Sequence, residues 1–210
     1  MSASKKYILL PVLLMVIAAG VWSSVYFEPL DTRKDKERIE SFNPREMVDY
    51  FWKHKLDEVL ETAIDLSLFD SLLKASPAIL MEQHGKSVGV TSRRSFLVKG
   101  FARSVGSGVE NIPATLPGGF VRYSLLMKNV FGNAARNATD FFHVDDFENT
   151  MDFNAVATEL NSLILQEVIA HKLDSIPHGV SLRFFGAVEV NSEEIQAEME
   201  IVPLRLEITP

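Results

Sequence analysis

Between Lys6 and Glu28 the chain carries no charge: the run Tyr7 to Phe27, YILLPVLLMVIAAGVWSSVYF, holds about 21 residues, enough for a helix to cross roughly 30 Å of hydrocarbon. No other feature constrains the fold as strongly. Trp22 and Tyr26 near its end suit a headgroup interface. Lys5 and Lys6 ahead of it favour a cytoplasmic start, an asymmetry that Arg33, Lys34, Lys36 and Arg38 beyond the span reduce. The competing reading is a cleaved signal peptide with its apolar core at Ile8 to Ala19, but no small-x-small cleavage site follows. Either reading exports what comes next. Residues 1–28 are thus expected to be a single-pass anchor in the inner membrane or a signal sequence, with the C-terminal domain in the periplasm or otherwise outside the cytoplasm.

The segment 29–42 mixes charges with few apolar positions and reads as a solvated stalk. Folded structure is expected from 43 to 210. Asn43-Pro44 supplies a helix cap followed by proline at the first helical position, and Met47, Val48, Phe51, Trp52, Leu56, Val59, Leu60 and Ala63 follow at helical spacing. Leu66, Phe69, Leu72 and Leu73 continue it, and Pro77 starts a further short helix that stops at Gly85, so residues 43–85 form a helical part. From about 94 the pattern changes. SFLVKGFARSV, FVRYSLLMKNV, VSLRFFGAVEV and MEIVPLRLEI read as strands separated by Gly106-Ser107-Gly108, Gly118-Gly119 and polar loops, with Pro203 marking an edge or a bulge. A long helix at about 153–171 interrupts them, with Val156, Leu160, Leu163, Ile164 and Val168 on one face. The expected fold is α+β: a small β-barrel or curled antiparallel sheet, an N-terminal helical subdomain and one long inserted helix.

Charge and composition narrow the chemistry. A net charge of −7 and a pI near 5.3 offer no basic field for phosphate backbones, so no nucleic-acid partner is expected. The absence of cysteine removes disulfides, thiolate nucleophiles and a lipidated cysteine together. His54, His84, His143, His171 and His178 form no HxxxH or HExxH pair, and no GxSxG, P-loop or GxGxxG turn is present, so no catalytic residue, metal or cofactor is expected. The one local cluster, His143, Asp145, Asp146 and Glu148, could serve a hydrolase but reads more simply as a solvated acidic turn. The sequon-like Asn137-Ala138-Thr139 reads as a turn.

The block GNAARNATDFFHVDDFENTMDFNAVATELNSLILQEV, Gly132 to Val168, resembles the most distinctive stretch of a bacterial family of predicted periplasmic lipoproteins, domain of unknown function 2291. Phe51-Trp52-Lys53-His54-Lys55, Gly85, Ser95 to Gly100, Ser181 to Ala187 and Ile201 to Ile208 resemble other parts of its pattern in the same order. Departures are present: the family's lipidated cysteine is missing, its arginine-aspartate pair stands here as Arg136-Asn137, and its asparagine-glutamine pair as Asn149-Thr150. The resemblance implies a small OB-like barrel joined to a helical part, often encoded near sugar transporters, and no established activity.

The leading expectation is a non-enzymatic accessory or binding protein linked to solute uptake, with a transporter component or small solute as partner. A structural or assembly protein acting by docking is the alternative. Lys55, Lys99, Arg136 and Asn149, polar residues at positions that match the family's motifs, are the candidate ligand- or partner-binding residues that the resemblance implies, and cation and amide donors gathered by folding suit a carboxylate or hydroxyl-rich solute. A structural role is the competing account, with Lys99 and Arg136 pairing with carboxylates such as Asp65 or Asp146.

Overall fold

The computed structural model describes residues 42–105, 110–170 and 176–209. The apolar run, the charged segment up to residue 41, the Gly106-Ser107-Gly108 turn and the helix tail past 170 lie outside them. Among the described residues no helix is long and apolar enough to cross a membrane.

The compact unit starts at Asn43, whose side-chain oxygen accepts the Glu46 N–H at 3.3 Å, with Pro44 in the first turn of helix α1 (Pro44–His54). Val48 and Phe51 form the buried face of α1. The chain breaks at Lys55 and resumes as α2 (Leu56–Glu61), which buries Leu56 and Leu60. A two-residue strand β1 (Ile64–Asp65) follows, and the Asp65 carboxylate caps α3 (Leu66–Ala75) by accepting the Ser67 N–H at 2.9 Å. Helix α4 (Pro77–Gln83) completes this part. Gly85 beyond it does not adopt a left-handed φ; it is there because a Cβ would sit 2.6 Å from the Met81 carbonyl oxygen.

The remaining strands are β2 (Arg93–Arg103), β3 (Asn111–Pro113), β4 (Arg122–Leu126), β5 (Ser181–Asn191) and β6 (Glu198–Ile208). With β1 they form one six-stranded sheet in the order β1-β2-β5-β6-β4-β3. The expected antiparallel sheet is corrected: it is mixed, because β1 runs parallel to β2 and β4 runs parallel to β6. Parallel neighbours need long crossovers, supplied in the first case by α3 and α4 and in the second by everything between β4 and β6. The sheet curls without closing continuously. A bridge between Ala102 and Ala114, with the Thr115 N–H donating to the Phe101 carbonyl at 2.7 Å, brings the residues after β3 against β2. Pro203 sits where the β5–β6 register slips, opposite Gly186 and beyond the end of β4 pairing at Ile201, so its missing N–H breaks no ladder bond on that side.

Between β4 and β5 lie a short helix α5 (Ala134–Thr139), a 3₁₀ turn (Val144–Asp146) and α6 (Thr150–Leu163), which continues as a π-helix over Ile164–Ala170. Asn137-Ala138-Thr139, expected in a turn, belongs to α5. Helix α6 packs on α1, and α5 packs on β2 and β5. Phe51 meets Phe141 and Phe142 with ring centroids 5.0 and 5.1 Å away, and Phe69 meets Phe96 at 5.1 Å and Tyr123 at 6.1 Å.

Asp70, on α3, is buried and joins this helix to the approach to β4. Its carboxylate accepts the Phe120 N–H at 2.7 Å, the Val121 N–H at 3.1 Å and the Tyr123 hydroxyl at 2.9 Å. Burial raises the Tyr123 phenol far above its ordinary range, and the hydrogen bond to Asp70 and its negative charge add to this. The folded state therefore favours the neutral phenol. Its contribution to stability is complete below the ordinary phenol value of about 10 and is lost as pH rises above it. Urea unfolding of the wild type between pH 9 and 11.5 should show a steeper loss of stability than that of Tyr123→Phe. Parallel slopes would show that this phenol is not held neutral by the fold.

Candidate functional site

Ser95 on β2 and Glu189 on β5 face each other across the antiparallel pair, and Arg93, two residues earlier on β2, has its side chain on the same face. Helix α5 lies over this part of the sheet. The space between holds a cavity of about 330 Å³, with Arg93, Ser95 and Glu189 on the sheet side. Val88 and Thr91 close it from the loop before β2; Asn133, Arg136 and Asn137 from α5 and its cap; Thr150, Phe153 and Asn154 from the start of α6.

Arg136 is the centre of the arrangement. Only 3% of it is exposed, and its guanidinium carbon stands 3.5 Å over the centroid of the Phe153 ring. Nε and Nη2 both donate to the Asn137 side-chain oxygen, at 3.1 and 2.9 Å. Nη1 donates to the Phe153 carbonyl at 2.8 Å and to the Asn154 side-chain oxygen at 3.2 Å. All these acceptors are neutral, and among the described residues no carboxylate forms an ion pair with Arg136. Burial pushes its pKa down to about 10, which leaves it protonated at neutral pH. Arg93, by contrast, is matched by Glu189 at 3.1 Å. The cavity wall thus carries one positive charge solvated by dipoles and a ring but not neutralised.

The four residues singled out from sequence do not converge. Lys55 is at the break between α1 and α2, where its Nζ pairs with Glu58 at 3.1 Å and that contact raises its pKa. Lys99 is opposite Asp65 in the β1–β2 register, about 13 Å along β2 from Ser95 at strand rise. Its charge helps hold the Asp65 carboxyl below the usual range, after the larger effect of the Ser67 hydrogen bond. Asn149 caps α6: its oxygen accepts the Asp152 N–H and its amide donates to the Asp152 carboxylate, both at 2.9 Å. Of the four only Arg136 lines the cavity, and its partners are two side-chain amides, a backbone carbonyl and a ring, not Asp146. Asp146 instead accepts the His143 N–H at 3.4 Å in the exposed 3₁₀ turn. Among the described residues no three acidic or imidazole groups are placed to hold a metal ion. Sequence reading missed Ser95, Asn154 and Phe153; the local signal for the last two is that they follow the Asn149 cap as the fourth and fifth residues of a helix.

Residues 15–207 match the family described as predicted periplasmic lipoprotein (DUF2291). The chain belongs to that family. Its fold is similar to the crystal structure of an OB-fold protein from Thermotoga maritima MSB8, with a TM-score of 0.71 and 27% identity over 81% of this chain and 100% of that one. No curated protein matches. The family description names a lipoprotein, whereas this DUF2291 sequence has no cysteine on which a thioether-linked lipid could be built.

Proposed function

We propose that this protein is a non-enzymatic, membrane-tethered binding or accessory protein of the cell envelope that takes part in the uptake of small solutes. The observation that carries the proposal is the buried, un-neutralised Arg136 guanidinium on the wall of a cavity whose other lining combines hydroxyls, amides and one internal ion pair with the apolar side chains of Val88, Val144 and Phe153. Few polar groups converging on a concave space is the usual form of a small-molecule site. The apolar run Tyr7 to Phe27 would supply the tether that the missing cysteine cannot, and the periplasmic family description agrees with an exported domain.

The test is direct. Full-length protein in mild detergent is titrated calorimetrically with sugars, sugar acids, amino acids and small organic acids, and co-purifying membrane proteins are identified. One solute class should bind the wild type and fail to bind Thr150→Trp, which places bulk at an exposed position of the cavity lining that does not hold Arg136 and should leave the melting temperature within about 2 °C. Absence of both solute binding and a co-purifying transport component would overturn the proposal.

A further inference from the structure

We infer that the ligand of this cavity is a small organic monoanion, a hydroxylated carboxylate whose carboxyl group supplies the counter-charge that Arg136 lacks. The inference rests on the reading of the cavity as a binding site and names what that site selects. Buried guanidinium groups are ordinarily matched by a carboxylate or phosphate, because dipoles alone replace the solvation of a desolvated cation incompletely. Here the place of such a partner is taken by Asn137, whose oxygen receives both Nε and Nη2 but brings no charge. Neutral acceptors engage four of the five guanidinium N–H groups, and the second N–H of Nη2 has none among the described residues.

The charge count sets the valence. Glu189 cancels Arg93, so one positive charge is left for one negative charge, and a dianion would face Glu189 on the same wall. The remaining polar lining, Thr91, Ser95, Asn133, Thr150 and Asn154, offers hydroxyls and amides of the kind that pair with ligand hydroxyls. About 330 Å³ corresponds to roughly ten water molecules, the scale of a sugar acid or a hydroxy acid.

Asn137 makes the inference testable without removing Arg136. Asn137→Asp places a carboxylate where the amide already receives Nε and Nη2, so the protein would neutralise itself. The full-length protein in detergent at pH 7.5 is followed by thermal melting with sodium D-gluconate, sodium acetate, sodium phosphate or neutral sorbitol, against sodium chloride at equal ionic strength. Gluconate should raise the wild-type melting temperature progressively, acetate less, and sorbitol and sodium chloride not at all. Asn137→Asp should melt higher than the wild type without ligand and bind gluconate at least tenfold more weakly. Equal gluconate binding by Asn137→Asp would show that the carboxylate does not seat at Arg136, and stronger binding of phosphate than of gluconate would refute the charge count. If sorbitol acts and the carboxylates do not, the ligand class is wrong while the cavity remains a binding site. If every probe fails here but another solute binds and Thr150→Trp blocks it, the broader proposal likewise survives alone.

Discussion

Asp70→Ala should lower the melting temperature of the purified protein by about 10 °C, corresponding to a loss of about 3–4 kcal/mol. Three donors depend on this one carboxylate, and two of them, the Phe120 and Val121 N–H groups, are main-chain groups that cannot rotate towards water. The Tyr123 hydroxyl is the third, at a buried position among Phe69 and its neighbours. Alanine leaves all three unpaired at once and detaches α3 from the approach to β4. Asp70→Asn is the informative control. It preserves volume, yet either orientation of the amide puts an NH₂ where a carboxylate oxygen accepts a hydrogen bond, so the melting temperature should fall nearly as far as for alanine. A value for Asp70→Asn within 1 °C of the wild type would show that shape, and not acceptor count, holds this junction.

Gly186→Ala should cost about 3 kcal/mol, or about 8 °C in melting temperature, although it adds only one methyl group. A Cβ on Gly186 would lie 2.5 Å from the Ile201 side-chain Cγ2 and 2.7 Å from the Val202 carbonyl oxygen. The first contact could be eased by a change in Ile201, but the second is with the backbone of the adjacent strand at the point where the β5–β6 register slips. Gly100 is a useful comparison. The nearest atoms its added Cβ would meet are Phe184 and Leu66 side-chain atoms at 3.1–3.2 Å, so Gly100→Ala should be the milder of the two. The reverse order of melting temperatures would place the tightest packing of the sheet elsewhere.

Regular periodicity made the larger parts of this fold readable from sequence. The aromatic face of α1, the cap at Asn43, the long strands β2, β5 and β6 and the body of α6 all show repeated spacing over ten or more residues. Where the spacing does not repeat, the reading failed. Ile64–Asp65 and Asn111–Pro113 are too short to establish an alternation, and α5 is a helix of Asn, Thr, Ala and Arg with no apolar stripe of its own. Strand direction was hidden for a different reason: an antiparallel and a parallel neighbour demand the same alternation, and only the length and content of the connection distinguish them. The cavity was legible in one residue. Arg136, like Lys55, Lys99 and Asn149, stands out in the sequence only as a polar residue at a family-motif position, and the other three owe their surroundings to carboxylates at Glu58, Asp65 and Asp152. A charged residue's motif position does not disclose whether its counter-ion is one turn away or absent.

The order of the strands also bears on how the chain reaches this state. β6 follows the other strands in sequence, lies between β5 and β4 and, among the described residues, is what links β4 and β3 to the rest of the ladder, apart from the bridge at Ala102. A polypeptide emerging N-terminus first, from a ribosome or from a secretion channel, cannot assemble this sheet until residues 198–208 have arrived. The helices can form early, but the hydrophobic faces of β4 and β5 have no neighbour on their inner edges during that interval. Such a chain stays pliable while it is being threaded and becomes committed to its folded shape only once residues 198–208 have been delivered.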